Sequence, residues 1–333
     1  MSQPFTLQQQ EFFVSASIGI SVFPSDGTDA QTLLQNADAA MYRAKSQGRN
    51  GYRFYTPEIT AAVAERVSLE NNLRRAFERE EFVLYYQPQL SMRGDNIIGV
   101  EALLRWLRPD YGLVTPDQFI PILEEAGLIG RVGEWVLRNA CRQAKQWLDR
   151  GQPLYMAVNI SGQQIIRHNI VQQIKDVLAE SKLPPKYLEL EITENFFLGD
   201  NKREIATLDA LKDLGITLAI DDFGTGYSSL SYLKRLPVDK LKIDQSFIRD
   251  IMIDKNDEAI AKAVIALGHS MHLTVIAEGV ETEAQRQHLH KQGCDQYQGF
   301  LYSQPLPAEK LTPLLAAAFE HKSVTGDWKK VKG

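Results

Sequence analysis

The chain has 333 residues, 44% of them hydrophobic, and it carries a formal net charge of −5 at pH 7. This length is enough for one large domain or two ordinary domains with a real core. The acidic balance offers no electrostatic footprint for a nucleic-acid polymer, so we expect no partner of that class. No segment has the pattern of a signal peptide or approaches the roughly 18 apolar residues of a membrane span.

Two cysteines, Cys141 and Cys294, lie far apart and without the spacing of a metal site. This usage indicates a reducing compartment, no disulfide framework and two buried small side chains. We therefore expect a cytoplasmic protein without membrane contact. A longer parent chain would be free to carry sensor or membrane segments.

Residues 11–55 predict a small α/β fragment. Residues 12–23 are rich in β-branched and aromatic side chains and predict a strand, which a turn at residues 24–27 ends. Apolar residues then recur at helical spacing up to Gly48, which stands where a C-cap glycine is expected. Residues 52–55 predict a last strand. So small a piece is unlike a complete domain.

Two motifs of this fragment, ASIGI at residues 16–20 and LLQNADAAMYRAKSQGRN at residues 33–50, resemble the C-terminal third of a GGDEF-type diguanylate cyclase domain. The catalytic GGDEF signature of that family does not occur in the sequence. We therefore interpret residues 1–55 as a truncated remnant and expect no cyclase activity from it. Residues 56–79 predict an amphipathic linker helix, which acts either as a plain connector or in signalling.

Strand-like and helix-like stretches alternate through residues 80–320, and a polar tail follows at 321–333. Eight such units favour a (β/α)8 TIM-like barrel, with a doubly wound open sheet as the alternative. Only a short turn separates the first two strands, so we expect a hairpin and one antiparallel strand in the barrel. The candidate strands are residues 82–90, 97–106, 155–160, 187–193, 217–221, 240–243, 273–277 and 298–302.

Functional side chains of such barrels lie at the carboxyl ends of the strands. Here nearly all of these positions hold a carboxylate, an amide or a lysine. So acidic a ring repels itself unless cations fill it. Oxygen donors without histidine or cysteine favour magnesium, manganese or calcium over zinc, and we interpret all six histidines as structural or solvent-facing. The candidates are Glu101, Asn159, Glu191, Glu194, Asp221, Asp222, Lys242, Asp244, Glu278, Glu281 and Gln298.

Several of these residues have a structural alternative. In the structural alternative for Asp221 and Asp222, the pair forms a helix N-cap followed by a solvated loop. Asn159 could simply satisfy a loop, and as a single amide it is a weak signal. Glu189 and Glu191 share one strand face, so one of them would be a solvated rim residue. A surface lysine explains Lys242 poorly, because a lysine between two apolar neighbours indicates a buried amine beside a carboxylate or phosphate.

Seven motifs in order resemble the signature set of the EAL-type cyclic di-GMP phosphodiesterases, and the resemblance spans roughly residues 70–318. Each motif alone is weak, whereas seven in order at predicted strand ends are specific. The motifs are EAL at 101–103 followed by Arg105 and Trp106, NIS at 159–161, EITE at 191–194, DDFG at 221–224, KID at 242–244, AEGVE at 277–281 and QGF at 298–300.

This resemblance implies hydrolysis of cyclic di-GMP to linear 5'-pGpG, with two Mg²⁺ or Mn²⁺ ions and in-line attack by water. Calcium is expected to fill the site without supporting turnover. The resemblance implies ligands for one ion and, with Asp221 as the bridge, for a second. Those ligands are Glu101, Asn159, Glu191 and Asp221 for the first ion and Asp222 for the second.

The resemblance also implies catalytic roles for Lys242, which would position or activate the water, and for Glu278. The role of Glu278 as general base stays open against a metal hydroxide. Implied substrate contacts are Gln87, Arg105, Asp244 and Gln298, and implied supports of the site are Glu194, Glu281 and the loop of residues 224–229.

Members of this family commonly form homodimers through the barrel, so a dimer is expected. Many members have lost metal ligands and act only as receptors, so a catalytically silent cyclic di-GMP receptor is the alternative function. Every metal-ligand position and the lysine position are retained here, which favours the enzyme.

Overall fold

The computed structural model describes residues 5–7, 10–12, 15–46, 50–94, 96–109, 111–167, 169–194, 196, 202–226 and 233–325. The chain divides into two compact units, Met1–Arg75 and Ala76–Gly333. Within the described segments, none of the helices combines the length and the apolar character that crossing a bilayer requires.

The first unit holds two small sheets. β1 (Phe5–Leu7) pairs antiparallel with β2 (Gln10–Phe12), and β3 (Ser17–Ile20) pairs parallel with β4 (Gly51–Phe54). Helix α1 (Ala30–Ser46) lies between β3 and β4 in sequence and packs closely on β3. A Cβ atom at Gly19 would stand 1.8 Å from the carbonyl oxygen of Ala37, so glycine is required at this crossing.

The prediction of one strand over residues 12–23 is wrong. The apolar run instead supplies the end of β2 and the whole of β3, which belong to different sheets. Composition marks such a run as strand-forming, but it does not indicate where the chain leaves one partner for another. Gly48 lies outside the described residues. Helix α2 (Pro57–Ala76), where 56–79 was predicted, begins with a proline at its first position, which the helix start tolerates.

The second unit alternates strands and helices almost throughout. Its strands are β5 (Phe82–Ser91), β6 (Ile97–Arg108), β7 (Gly112–Val114), β8 (Tyr155–Asn159), β9 (Leu188–Thr193), β10 (Thr217–Phe223), β11 (Lys240–Ile243), β12 (Thr274–Ala277), β13 (Gln296–Gln298) and β14 (Leu306–Pro307). Its helices are α3 (Pro116–Glu125), α4 (Ile129–Asp149), α5 (Gly162–Arg167), α6 (Ile170–Ser181), α7 (Lys202–Lys212), α8 (Gln245–Arg249), α9 (Lys255–Ser270), α10 (Glu283–Lys291) and α11 (Ala308–Thr325), with a short 3-10 turn at Pro185–Tyr187.

Eight of these strands close into a barrel in the order β5, β13, β12, β11, β10, β9, β8, β6, and β6 pairs again with β5. The first strand, β5, runs antiparallel to both of its neighbours, β6 and β13. The predicted barrel with one antiparallel strand is therefore confirmed, and the open-sheet alternative is wrong.

Helix α4 shows how the outer layer packs. Its buried residues recur every three or four positions, and among them are Val132, Val136, Ala140 and Ala144. This spacing places them on one face of the helix, which covers apolar barrel strands. Full burial of a valine side chain on this face contributes about 1.5–3 kcal/mol of hydrophobic stabilisation.

The last barrel strand differs from its predicted position of residues 298–302. β13 ends at Gln298, and the chain then turns over Val280: a Cβ atom at Gly299 would lie 2.1 Å from the Val280 carbonyl oxygen. The aromatic side chains that suggested a strand, Phe300 and Tyr302, are 54% and 39% exposed. They are surface aromatics beside the barrel mouth, and Gln298 is the strand's last residue.

Candidate active site

The polar residues predicted at the strand ends gather at one mouth of the barrel. Because parallel strands in a closed sheet present their carboxyl ends at the same rim, residues far apart in sequence meet there. Glu101 lies on β6, Asn159 ends β8, Glu191 lies on β9, Asp221 and Asp222 lie near the end of β10, Lys242 lies on β11, Glu278 follows β12 and Gln298 ends β13.

Lys242 is at the centre of this cluster and is fully buried. Its ammonium nitrogen lies 2.7 Å from Glu191 Oε2 and 2.7 Å from Glu278 Oε1. It also lies 2.9 Å from Asp221 Oδ1 and 3.8 Å from Glu101 Oε2. Four carboxylates from four different segments therefore converge on one cation.

This cluster shifts the ionisation of its members. Burial opposes the charged form of Lys242, but the neighbouring carboxylates, Asp221 first, raise the pKa of its ammonium well above the usual value. Burial raises the pKa of both Glu191 and Glu278 well above the usual carboxyl range. One ammonium cannot neutralise so many buried carboxylates, so the cluster favours the binding of further cations.

Amide groups orient Glu101. Asn159 Nδ2 donates to Glu101 Oε1 over 2.7 Å, and Gln298 Nε2 donates to Glu101 Oε2 over 2.6 Å. Gln298 Nε2 also donates to Gln87 Oε1 over 2.9 Å. Oε1 of Gln298 is buried and has no hydrogen-bond partner among the described residues, so an acceptor there is available to a donor or cation from outside the chain.

Gln89, which the sequence pattern did not single out, also contacts the cluster. Its side chain is fully buried, and its Nε2 donates to Glu191 Oε1 over 3.4 Å. The signal was present, because Gln87 and Gln89 alternate on β5 and two buried amides on one face of a barrel strand are unusual.

The adjacent acids Asp221 and Asp222 both reach the cluster because β10 is irregular there. Its register with β11 shifts between Ile220 and Phe223, and Asp222 adopts a φ of 54°. Neighbouring residues of a regular strand point to opposite faces, whereas a bulge of this kind redirects a side chain. Oxygen atoms of Asp221, Asp222 and Glu278 consequently lie within 4.8 Å of one another, an arrangement that favours the functional interpretation of this pair over the N-cap alternative.

The pKa of Asp222 is raised to about 7, first by burial and then by the charges of Asp221 and Asp244. A carboxyl that binds its proton more tightly in the folded state makes unfolding less favourable at low pH. In metal-free protein, we therefore expect this contribution to the free energy of unfolding to fall as pH rises from about 4 to about 7.

Asp222→Asn tests this expectation, since asparagine tolerates positive φ well. In urea denaturation with a chelator, the variant should gain stability relative to the parent protein between pH 5 and pH 8. The difference between the two proteins reports the titration of residue 222 together with its electrostatic effect on the neighbouring carboxyls. A difference that is independent of pH would contradict the shifted pKa.

The remaining predicted residues lie around the cluster. Arg105 is half-buried, its Nη1 donates to the Leu104 carbonyl oxygen, and burial is the main reason that its pKa is lowered. Asp244 caps α8 by accepting from the Ser246 backbone over 2.9 Å. Glu281 is exposed, and its backbone N–H donates to Gln285.

Glu194 holds the loop that follows β10. Its Oε2 accepts hydrogen bonds from the backbone N–H groups of Gly224 over 2.7 Å and Gly226 over 3.2 Å. Residues 227–229 of the predicted loop lie outside the described residues.

Glu194→Ala is expected to lower turnover about 10-fold, because partners behind the first ligands typically contribute 10- to 100-fold to activity or metal affinity. Glu194→Gln retains an acceptor oxygen and should lose less. Steady-state kinetics of both variants check this, and equal activity of Glu194→Ala and the parent protein would show that the loop does not need this carboxylate.

Two cavities flank the cluster. One, of about 440 Å³, opens between α3, α4 and the ends of β6 and β8. The other has a volume of about 230 Å³. The first is bordered by Asn159 and Asp222 and lined in part by Leu104, Pro116, Ile120 and Val136. The second is lined in part by Gln87, Glu101, Asp221, Glu278 and Gln298.

The chain is similar to known proteins over most of its length. Residues 70–305 match the family model described as "EAL domain", and residues 1–51 match that described as "Diguanylate cyclase, GGDEF domain". The bifunctional diguanylate cyclase/cyclic di-GMP phosphodiesterase MucR of Pseudomonas aeruginosa is 47% identical over 317 residues, which cover 95% of this chain and 46% of MucR. The cyclic di-GMP phosphodiesterase NbdA of the same organism is 39% identical over 318 residues, which cover 95% of this chain and 41% of NbdA.

A solved structure, described as the PaMucR phosphodiesterase in complex with c-di-GMP, superposes with a TM-score of 0.71 at 47% identity. The match covers 73% of this chain and 99% of that one. The chain thus spans less than half the length of these two curated relatives. With a family model that matches most of the sequence and relatives of this identity, the chain belongs to the EAL domain family, and a segment that matches the GGDEF family precedes its EAL domain.

Proposed function

We propose that this chain hydrolyses cyclic di-GMP to linear 5'-pGpG in a reaction that depends on two Mg²⁺ or Mn²⁺ ions. The observation that carries the proposal is the convergence of Glu191, Asp221 and Glu278 within 2.9 Å of the Lys242 ammonium. The names of its relatives MucR and NbdA support the substrate class.

The donor set fits hard divalent cations. All side-chain groups of the cluster that offer electron pairs are carboxylate or amide oxygens. Ligand oxygens of Asp221, Asp222 and Glu278 lie within 4.8 Å of one another, and Glu101 and Glu191 approach the same Lys242 ammonium, at 3.8 and 2.7 Å. Oxygen donors of this kind suit magnesium, manganese and calcium. We assign Glu101, Asn159, Glu191, Asp221 and Asp222 as the ligands.

Charge balance supports two ions rather than one. The five carboxylates of the cluster and the single ammonium of Lys242 carry a net charge of −4 when all are ionised, and two divalent cations neutralise it. The carboxylates are Glu101, Glu191, Asp221, Asp222 and Glu278. Such ions, when bound, stabilise negative charge that develops on a phosphodiester and favour deprotonation of water at neutral pH.

The residues of the chain provide orientation and proton handling. Lys242 holds three carboxylates in place and presents positive charge to the oxygens of the reacting phosphate. Glu278 lies 2.7 Å from the Lys242 ammonium, and burial raises the pKa of its carboxyl. We propose that it exchanges a proton with the attacking water or with the leaving oxygen.

Substrate recognition would use the two cavities and the rim. A largely apolar cavity of about 440 Å³ beside Asn159 and Asp222 can bury a planar base while a phosphodiester lies over the carboxylates. We propose that Arg105 and Asp244 contact the substrate from the rim, that Gln87 and Gln298 contact it from the second cavity, and that Glu194 and Glu281 keep the neighbouring loops ordered.

The test is incubation of the protein with cyclic di-GMP and Mg²⁺, Mn²⁺ or Ca²⁺, with product separation by chromatography. We expect pGpG with Mg²⁺ or Mn²⁺ and none with Ca²⁺. Tight binding of cyclic di-GMP without pGpG release in any metal would instead establish a receptor, and turnover of unrelated phosphodiesters alone would overturn the substrate.

We also propose that the EAL unit forms a homodimer. Two consecutive large apolar side chains, Met252 and Ile253, are 51% and 82% exposed in the turn after α8, and paired apolar exposure favours contact with another protein surface. Light scattering of the purified protein measures its mass in solution. Twice the chain mass of 37.6 kDa would support the dimer, and the chain mass itself would contradict it.

A further inference from the structure

A second polar layer lies inside the barrel, one step below the cluster and closer to the amino ends of the strands. Lys240 Nζ lies 3.0 Å from Glu189 Oε1 and 2.8 Å from Glu189 Oε2, and it donates to the Tyr155 hydroxyl over 2.9 Å. That hydroxyl donates to Gln296 Oε1 over 3.0 Å. We call these four residues the lower layer.

The lower layer repeats the pairing of the active site. Lys240 and Lys242 alternate on β11, and Glu189 and Glu191 alternate on β9, so each lysine faces a glutamate across the intervening strand β10. At this level β10 contributes Ala219, whose register partners are Lys240 on one side and Glu191 on the other. Because the alanine side chain is small, the two lysine side chains of β11 can extend past β10 to the glutamates of β9.

The position of the Tyr155 ring depends on a glycine in the neighbouring strand. Gly99 is its register partner on β6, and a Cβ atom at Gly99 would lie 2.2 Å from the Tyr155 ring. Glu101 follows two residues later on the same strand face. The glycine therefore gives the ring a place below Glu101 that a larger residue would fill.

Stability alone does not explain this layer. The side chains of Lys240 and Glu189 are 5% and 2% exposed, and removing such ions from water carries a desolvation penalty for each. Barrel interiors are usually filled by Val, Ile and Leu, and apolar replacement of a buried ion pair is often neutral or stabilising.

The two layers are close enough to interact. Residues two apart on a strand are separated by roughly 6.6 Å, and the pKa of the Tyr155 phenol, raised mainly by burial, responds to Glu189, Glu191 and Lys242. Without a cation of its own, Glu189 would be a buried carboxylate within reach of the flexible four-carbon stem of Lys242.

We propose that Lys240 is a positioning residue for the active site: by engaging Glu189 it keeps the Lys242 ammonium on Glu191, Asp221 and Glu278. The kinetic side of this inference rests on the proposed function. The structural side concerns the ability of the cluster to take up divalent ions, which is measurable without any substrate.

Three variants test the proposal in the full chain. In Lys240→Met, the unpaired Glu189 competes for Lys242, so Mn²⁺ affinity and kcat should each fall about 10-fold or more. In Lys240→Met/Glu189→Leu, the competitor is gone, and both values should return to within about 3-fold of the parent protein. Lys212→Met is the matched control, since Lys212 pairs with Asp239 over 2.7 Å away from the barrel interior and its loss should change neither value.

Calorimetric titration with Mn²⁺ and the pGpG assay give the two measurements, and the melting temperature shows that each variant is folded. A folded Lys240→Met with parent-like affinity and kcat overturns the proposal, as does a folded double variant that is as impaired as the single one. Should Lys240→Met fail to fold, Lys240→Gln takes its place with the same expected losses. A parent protein that binds Mn²⁺ but releases no pGpG defeats the proposed function while the titration still decides the positioning.

Discussion

Glu101→Ala is expected to lower the turnover of cyclic di-GMP by at least about 100-fold, as loss of a primary metal ligand should. Asn159 and Gln298 both donate to the Glu101 carboxylate, over 2.7 and 2.6 Å, so its removal takes away one proposed ligand and also the acceptor that holds Asn159, another proposed ligand. The measurement is kcat/KM with saturating Mg²⁺.

Two comparisons make the Glu101 result specific. Glu101→Gln keeps the side-chain volume and an acceptor for Asn159 but lacks the charge, so it should be impaired almost as strongly. Glu134→Ala removes a carboxylate of α4 that pairs with Arg138 at the surface and should leave turnover unchanged. Near-normal rates in Glu101→Ala would rule out its assigned role.

Lys242→Met is expected to lower turnover by about 100- to 1,000-fold, the usual loss when one placed electrostatic donor is removed from an active site. It should also destabilise the metal-free protein by about 3–5 kcal/mol, because removing one partner leaves buried carboxylates uncompensated. Added Mg²⁺ should recover part of this stability, since the ions bind the folded state alone.

Urea denaturation with a chelator and with Mg²⁺ measures both stability effects. The control is again Lys212→Met, which breaks a partly exposed pair and should lose no more than about 1 kcal/mol in either condition. If Lys242→Met matched that control in stability, the ammonium would not be what holds Glu191, Asp221 and Glu278 together.

Much of the fold followed from local pattern. Apolar runs ending in acids predicted most barrel strands, and the short turn before β6 predicted the antiparallel first strand, which the structure confirms. The errors arose where a run of suitable composition changed partner or turned back. This happened at residues 12–23, which contribute strands to two different sheets. It also happened at residues 298–302, where the exposed aromatic residues Phe300 and Tyr302 have strand-like composition but follow the end of β13.

The site was predicted less completely than the fold. One of Glu189 and Glu191 was expected at a solvated rim, but both are buried, at 1% and 0% exposure. The alternation of Lys240 with Lys242 on one strand matches that of the two glutamates on another. Reading the two alternations together would have predicted two buried ion pairs.

The sequence by itself determined which chemistry is available: hard oxygen donors and a buried lysine, each at the end of a strand, in a pattern that resembles one family. Only the tertiary structure decided which partners meet. Barrel closure and strand register set the distance between Lys242 and carboxylates up to about 140 residues away, and the bulge in β10 turns Asp222 toward Asp221. The physical reason is that side chains on separate strands interact through the register between the strands, which a local pattern does not encode.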